Sequence, residues 1–412
     1  MESLTALAVI WFTVYLAEIA AAKTRLTPVL YFLAFGCILV NAGILPKETD
    51  PFIRGFSDMG IILIMFALGF EENQDNFLRG VKSAWGIAFF GAIFPFFTAY
   101  YVADLLFDND NISLMSGLAM TATAVSLTMV SLKSEQLTHT RAATGIMTSA
   151  VLDDIGSLAA VAILVPIATG DATPELSSIL FITGKAILFF LLIAVVSAWV
   201  LPHQRRGLLA KLPVINNLGI KHLLSIGDGR HTTLTMLFIA LVVGLLAHDF
   251  GFHPAIGAYM AGLIMKEEYF LSDKYKDRNF YKETSAIVEN AAFSWIGPVF
   301  FVALGSQIQF DWEIVVSVIP EAILMTVALI LSQMLSAGLA AKYTAGFDWS
   351  DSLLIGCGML GRAELAFVVM DIAYVQNDIL STEAFYVLMF AAFWMNVAVP
   401  VSISQWKKRF GA

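Results

Sequence analysis

The chain has 412 residues, 58% hydrophobic and only 14% charged, with a mean hydropathy of +0.77. Soluble domains carry about 25% charged residues, so this composition excludes a water-soluble globular protein. The net charge of −9 resides mostly in loops and no basic run is present, which argues against nucleic acid. Cys37 and Cys357 both fall in apolar segments, which argues against a disulfide framework or a cysteine metal site.

Apolar runs recur from Leu4 to Trp406 at about the 20-residue length that a bilayer crossing needs. Splitting at polar clusters, Pro and Gly gives spans at 3–22, 28–45, 53–70, 83–106, 112–132, 142–168, 176–201, 231–248, 252–266, 285–306, 314–341, 350–375 and 383–405. The expectation is an all-α polytopic membrane protein of thirteen transmembrane helices. The first run follows Glu2 rather than a basic segment, so it reads as a retained helix and not a cleaved signal. The polar intervals 202–230 and 267–284 are too short for a second domain, so the expectation is one membrane domain without a soluble regulatory domain.

Lysine and arginine set the orientation. With the N-terminus outside, only Lys47 and Arg54 fall in or at the edge of outer loops, and only Lys185 and Arg362 fall in the interior of spans. The remainder, from Lys23 and Arg25 to Lys407, Lys408 and Arg409, are cytoplasmic, while acids such as those of DLLFDNDN (104–111) are outside. Spans 1–6 then start outside and spans 8–13 start inside. Two inverted six-helix repeats around span 7 are the common plan of secondary transporters.

Such transporters bind substrate at discontinuous helices in corresponding positions of the two halves. The fifth span contains SGLAMTATAVSLTMVSL, with Thr121, Thr123, Ser126 and Thr128. The twelfth, fifth in its half, contains IGCGMLGRAELAFVV, with Gly356, Gly358, Gly361, Arg362 and Glu364. Both are weak helices by propensity. Either alone fits close packing through small residues, but their matching positions favour unwinding that exposes backbone carbonyls.

Span 6 holds MTSAVLDDIGSL, with Asp153 and Asp154 near its middle. An ionisable residue at that depth is a functional hypothesis by default. Adjacent helix positions point about 100° apart, so one carboxylate can face a site while a partner holds the other. Low dielectric and mutual repulsion favour protonated carboxylates, so a proton and a small hard cation compete for such a group. Thr123, Ser126, Ser149 and Ser157 are the oxygen ligands at hand, the two serines of span 6 lying one turn either side of Asp153. The plain alternative is that these carboxylates and hydroxyls only fasten helices.

TATAVSLTMVSL followed by SAVLDDIGSLAAV resembles the monovalent cation:proton antiporters, in the NapA-like and Kef-like branch. PVLYFLAFGCIL, FALGFE ending at Glu71, GFHPAIGAYMAGLIM, GPVFFVALGSQI and GRAELAFVV extend the likeness through nearly the whole chain. The resemblance implies a NapA/NhaA-like fold with two broken crossing helices, working as a homodimer. Its dimerisation part would be 1–70 and 231–306, its elevator-like core 83–168 and 314–405, and its linker helix 176–201. It further implies that Asp154 carries cation or proton, that Thr123 helps complete a Na⁺ site, and that Arg362 and Glu364 stabilise the crossing. Transported Na⁺ (or K⁺, Li⁺) and H⁺ are then the cargo, and no cofactor is needed.

Two departures stand out. Kef-like proteins usually have Gln-Asp where this chain has Asp153-Asp154, and they add a cytoplasmic nucleotide-binding domain, which favours a sodium-selective exchanger over a K⁺/H⁺ antiporter. Electrogenic members pair the first aspartate with a lysine in the tenth span, and IVENAAFSWIGPVFFVALGS has none, leaving Lys185 or Arg362 as substitutes for that lysine beside Asp153 and the stoichiometry open. His248 and His253 flank an outer turn and read as surface residues, and Glu18 and Asp371 as interfacial ones. An intramembrane aspartyl protease needs aspartates on different helices, and a channel needs repeated rings around a pore. A sodium-coupled solute symporter shares the broken-helix plan and is the remaining rival, so the expectation is a transporter and not an enzyme. The short tail and loops suggest a prokaryotic inner membrane.

Overall fold

The computed structural model describes residues 2–24, 28–47, 49–71, 74–124, 127–128, 131–132, 135–138, 140–170, 231–250, 252–265, 267–270, 280–307, 312–362 and 364–410, with scattered positions between 181 and 224. The described residues are all-helical. In chain order they form α1 (Glu2–Thr24), α2 (Pro28–Asn41), α3 (Pro51–Glu71), α4 (Gln74–Phe107), α5 (Asp110–Ala119), α6 (Arg141–Ala168), α7 (Thr232–Asp249) and α8 (Pro254–Leu263). There follow α9 (Phe280–Asn290), α10 (Gly297–Gly305), α11 (Trp312–Ser317), α12 (Ile319–Thr344), α13 (Trp349–Gly358), α14 (Glu364–Asp371) and α15 (Thr382–Phe410). One π-helical turn, Ala291–Trp295, joins α9 to α10, and another, Ile372–Gln376, follows α14.

Eight helical stretches among the described residues are long and apolar enough to cross a membrane, and Pro28–Asn41 and Leu365–Gln376 are shorter apolar helices. This is an integral membrane protein. Of the fifth sequence span, 112–132, the described helix covers the part up to Ala119, and the seventh, 176–201, lies largely outside the described residues. The GDG at 227–229 is also outside them.

Helix starts follow ordinary capping chemistry. Asn109 accepts from the N–H groups of Asn111 and Ile112 at the start of α5, and Thr140 accepts from Ala143 N–H at α6. Asp348 accepts from Asp351 N–H at 2.7 Å to open α13. Each satisfies donors that the first turn cannot bond internally. Lys407, Lys408 and Arg409 end α15, where cations complement the helix dipole.

The chain forms two compact units. The first comprises Met1–Ile53, Gln74–Pro174 and Phe301–Ala412, and the second Arg54–Asn73 and Glu175–Phe300. In the first unit α4 packs on α5, α6 and α12, α12 packs on α13 and α15, and α14 meets α5. Lipid tails are as apolar as leucine side chains, so such contacts rest on close fit rather than on exclusion of water. The fit shows at Gly305, where a Cβ would lie 2.2 Å from the carbonyl oxygen of Leu33, bringing the backbones of α10 and α2 together. In the second unit α7 packs on α8, and the stacked rings of Phe66 and Phe70 continue through Phe70 to Tyr281.

Candidate functional site

Two helices of the first unit stop in mid-apolar sequence. The first, α5, ends at Ala119, and Met120 to Ala124 run non-helically before helical positions resume at Leu127. The second, α13, ends at Gly358, Met359 to Arg362 are irregular, and Glu364 opens α14. These are the segments rich in threonine and in glycine that sequence marks as weak helices. One apolar cluster holds Ala124 and Leu127 from the first break with Met359 and Leu360 from the second.

The two breaks bond to each other. Ala124 N–H donates to Gly361 O at 2.9 Å, and the Thr128 hydroxyl donates to Gly358 O at 2.7 Å. Buried backbone groups released by unwinding must find partners, and here each break supplies them to the other. A larger residue at Gly361 would fit tightly, since its Cβ would lie 3.0 Å from that of Ala124.

Asp153, 2% exposed on unbroken α6, accepts from Thr123 N–H through Oδ2 at 3.0 Å. The hydroxyl of Thr123 in turn accepts from Arg362 Nη1 at 3.4 Å. Thr123 therefore links a buried carboxylate to a buried guanidinium. Arg362 is fully buried, donates from Nη2 to Gln333 Oε1 at 2.6 Å, and reaches the carbonyls of Gly361 (3.1 Å) and Met359 (3.4 Å). Its backbone is held from α15, with Arg362 N–H donating to Asn396 Oδ1 at 2.9 Å and Asn396 Nδ2 donating to Arg362 O at 2.6 Å.

Asp154 is partly buried on the neighbouring face of α6. The sequence reading grouped Thr123 with Asp154, whereas Thr123 N–H bonds to Asp153. Ser149 is fully buried but bonds back to Gly145 O and Ile146 O of its own helix, with Met359 Sδ 3.5 Å away. Ser157, one turn beyond Asp153, is 1% exposed, and its hydroxyl and Asp153 Oδ1 are both buried without a hydrogen-bond partner among the described residues. Ser126 lies outside the described residues, as does the side chain of Glu364, whose backbone begins α14. Lys185 is partly buried and belongs to the second unit.

His253 departs from a plain surface role, since its ring accepts from Ala255 N–H at 3.3 Å and caps α8, whereas His248 is exposed. Among the described residues no three His, Cys, Asp or Glu side chains converge on a metal site. Sequence reasoning missed Gln333 and Asn396, which are 0% and 1% exposed. Each is an uncharged polar residue deep within a long apolar helix, and that isolation was the available signal.

Residues 8–406 match the family described as sodium/hydrogen exchanger, transmembrane. The chain belongs to that family. Exchangers of this family are transporters, so the protein is not an enzyme. The chain is 23% identical over 385 residues to a Na⁺/H⁺ antiporter of Enterococcus hirae, covering 92% of this chain and 91% of that protein. It is 29% identical to the probable Na⁺/H⁺ antiporter GerT of Bacillus cereus, covering 78% and 77%. The sodium proton antiporter MjNhaP1 of Methanocaldococcus jannaschii has a similar fold, with TM-score 0.66, 14% identity and 99% of both chains covered.

Proposed function

We propose that the protein exchanges protons for a monovalent cation, Na⁺ or Li⁺, with Asp154 binding cation or proton in competition. One observation carries this reading: two adjacent carboxylates on an unbroken helix lie at the crossing of two broken ones, with Asp153 bonded to the first break through Thr123. Asp153 accepts the Thr123 N–H, and the family resemblance assigns the exchange to the second aspartate, Asp154. Ser157 Oγ and Asp153 Oδ1 are buried oxygens without hydrogen-bond partners, and such hard donors suit a small cation.

The inverted-repeat topology of thirteen spans, with N-terminus outside and C-terminus cytoplasmic, fits the charge distribution. In this reading 83–168 and 314–405 form the moving core, 1–70 and 231–306 a dimerisation part, and 176–201 the linker, in a homodimer of a prokaryotic plasma membrane. Elevator-type motion of the core then exposes the site to each side in turn, serving pH homeostasis. The absence of lysine from IVENAAFSWIGPVFFVALGS favours electroneutral exchange.

A second reading, K⁺/H⁺ exchange, draws on the name of the Na⁺/H⁺-K⁺ antiporter GerN of Bacillus cereus, 25% identical over 365 residues. The experiment is proton flux in proteoliposomes on addition of Na⁺, Li⁺ or K⁺, with membrane potential clamped and then released. Collapse of the pH gradient by Na⁺ or Li⁺, unchanged by clamping and absent in Asp154→Asn, supports electroneutral sodium exchange. Collapse by K⁺ alone selects the second reading, and no collapse by any alkali cation overturns both in favour of a solute symporter.

A further inference from the structure

Among the described residues Arg362 is buried without a carboxylate among its hydrogen-bond partners, an unusual setting for a guanidinium. Its ligands are neutral oxygens: the carbonyls of Met359 and Gly361, the Thr123 hydroxyl and the Gln333 amide oxygen. That is the kind of shell a desolvated cation takes from an unwound helix. The second break thus holds a cation of its own, attached to the chain. Three of its carbonyls have further donors as well: Thr128 bonds to Gly358 O, Ala124 N–H to Gly361 O and Asn396 to Arg362 O. A transported ion would have to displace these bonds to enter there. Asp153 Oδ1 and Ser157 Oγ, two buried oxygens without a hydrogen-bond partner among the described residues, are instead on α6.

We propose that Gln333 and Asn396 are positioning residues of the transport site, holding Arg362 as a resident cation at a set remove from Asp153 and so tuning how tightly the carboxylates bind the transported cation. The inference rests on the antiport reading and deepens it. Asn396 fixes the backbone of residue 362 from both sides, and Gln333 fixes the far nitrogen of the guanidinium. The Gln333 amide has room because α4 presents Gly91, whose Cβ would stand 3.3 Å from Gln333 Nε2. Without the Gln333 oxygen, Nη2 lacks a bond, and Asp153 Oδ1 is the acceptor in this network that has none. The guanidinium then moves onto Asp153, and its charge opposes a second cation at the neighbouring carboxylate.

The test combines Na⁺ titration of purified protein, in choline-balanced buffer and followed by calorimetry, with Na⁺-driven proton flux in proteoliposomes. Gln333→Leu and the less perturbing Gln333→Met are expected to raise both Kd and KM for Na⁺ by about fivefold or more, a coupling of ordinary size, with Vmax within about twofold. Gln333→Glu retains an acceptor for Nη2 and is expected to restore wild-type or tighter binding. Asn396→Ala is expected to weaken Na⁺ binding in the same sense. Unchanged Kd in Gln333→Leu and Gln333→Met overturns the proposal, as does a Gln333→Glu variant as weak as they are, which marks a merely structural role. Unchanged Kd with reduced Vmax in Asn396→Ala removes Asn396 from it. Wild-type protein that neither binds nor exchanges Na⁺, Li⁺ or K⁺ overturns the antiport reading and this inference together, whereas wild-type exchange with indifferent variants strikes the inference alone.

Discussion

Ala124 and Gly361, 237 positions apart in the numbering, share a backbone hydrogen bond of 2.9 Å where the two broken helices cross. It is supported by the close approach at Gly361, where an added Cβ would press on Ala124 Cβ at 3.0 Å and stand 3.4 Å from Asn396 Oδ1. Overpacking a buried site of this kind costs about 1–3 kcal/mol. Gly361→Val is therefore expected to lower the melting temperature in detergent and to reduce exchange more than tenfold, a loss in that range. Gly361→Ala should do both to a smaller degree. A Gly361→Val protein as active and as stable as wild type would show that the crossing tolerates separation.

Asp154→Asn removes the carboxylate proposed to carry cation or proton while preserving side-chain size, so cation-driven proton flux should fall to background with the fold intact. Asp153→Asn keeps an oxygen for the Thr123 N–H. It should fold, retain some exchange and show a raised KM for Na⁺. Equal and complete loss in both variants, measured in the same liposomes, would mean that the two carboxylates act as one site.

Thr123 has two functions that substitution can separate. Its N–H, which bonds Asp153, survives any replacement except proline, whereas its hydroxyl accepts from Arg362. Thr123→Ser should stay near wild type. Thr123→Val leaves a buried donor of Arg362 without that acceptor, at a cost of about 1–3 kcal/mol, and should lower both thermal stability and cation affinity. Melting curves and Na⁺ titrations of the two variants check this.

Competition between cation and proton has a definite sign. Acidification favours the protonated carboxylate, so the apparent KM for Na⁺ should rise as pH falls, approaching tenfold per pH unit where one proton competes with one ion, with Vmax at saturating Na⁺ little changed. Initial rates over a matrix of pH and Na⁺ concentration measure it. A KM independent of pH, with only Vmax varying, would indicate that protons act away from the cation site.

The cap of α13 offers a control remote from the ions. Asp348→Ala removes the acceptor for Asp351 N–H and should destabilise by about 0.5–2 kcal/mol. Thermal denaturation should show the loss while the KM for Na⁺ stays within twofold.

The spans were legible because bilayer thickness imposes a length on every apolar run, and the breaks because threonine and glycine in matching positions oppose helix formation. The rotation of α6 was not legible. Adjacent aspartates must diverge by about 100°, but only packing decides which one meets Thr123, and it is Asp153. The placement of Arg362 was equally beyond sequence, because its partners come from three other helical segments separated along the chain. Gln333 and Asn396 were passed over since an uncharged amide does not interrupt a hydropathy profile as a charge does, yet both are buried at the crossing.

Among the described residues the Asn396 carboxamide bonds to the peptide groups of residue 362 and not to its side chain. It is therefore indifferent to which amino acid stands there, and the geometry of the second break can persist when the arginine is replaced. Arg362→Gln and Arg362→Lys consequently separate shape from charge, with the main chain kept in place while the resident positive charge is removed or reshaped. The same indifference uncouples the shape of this turn from the charge that residue 362 carries.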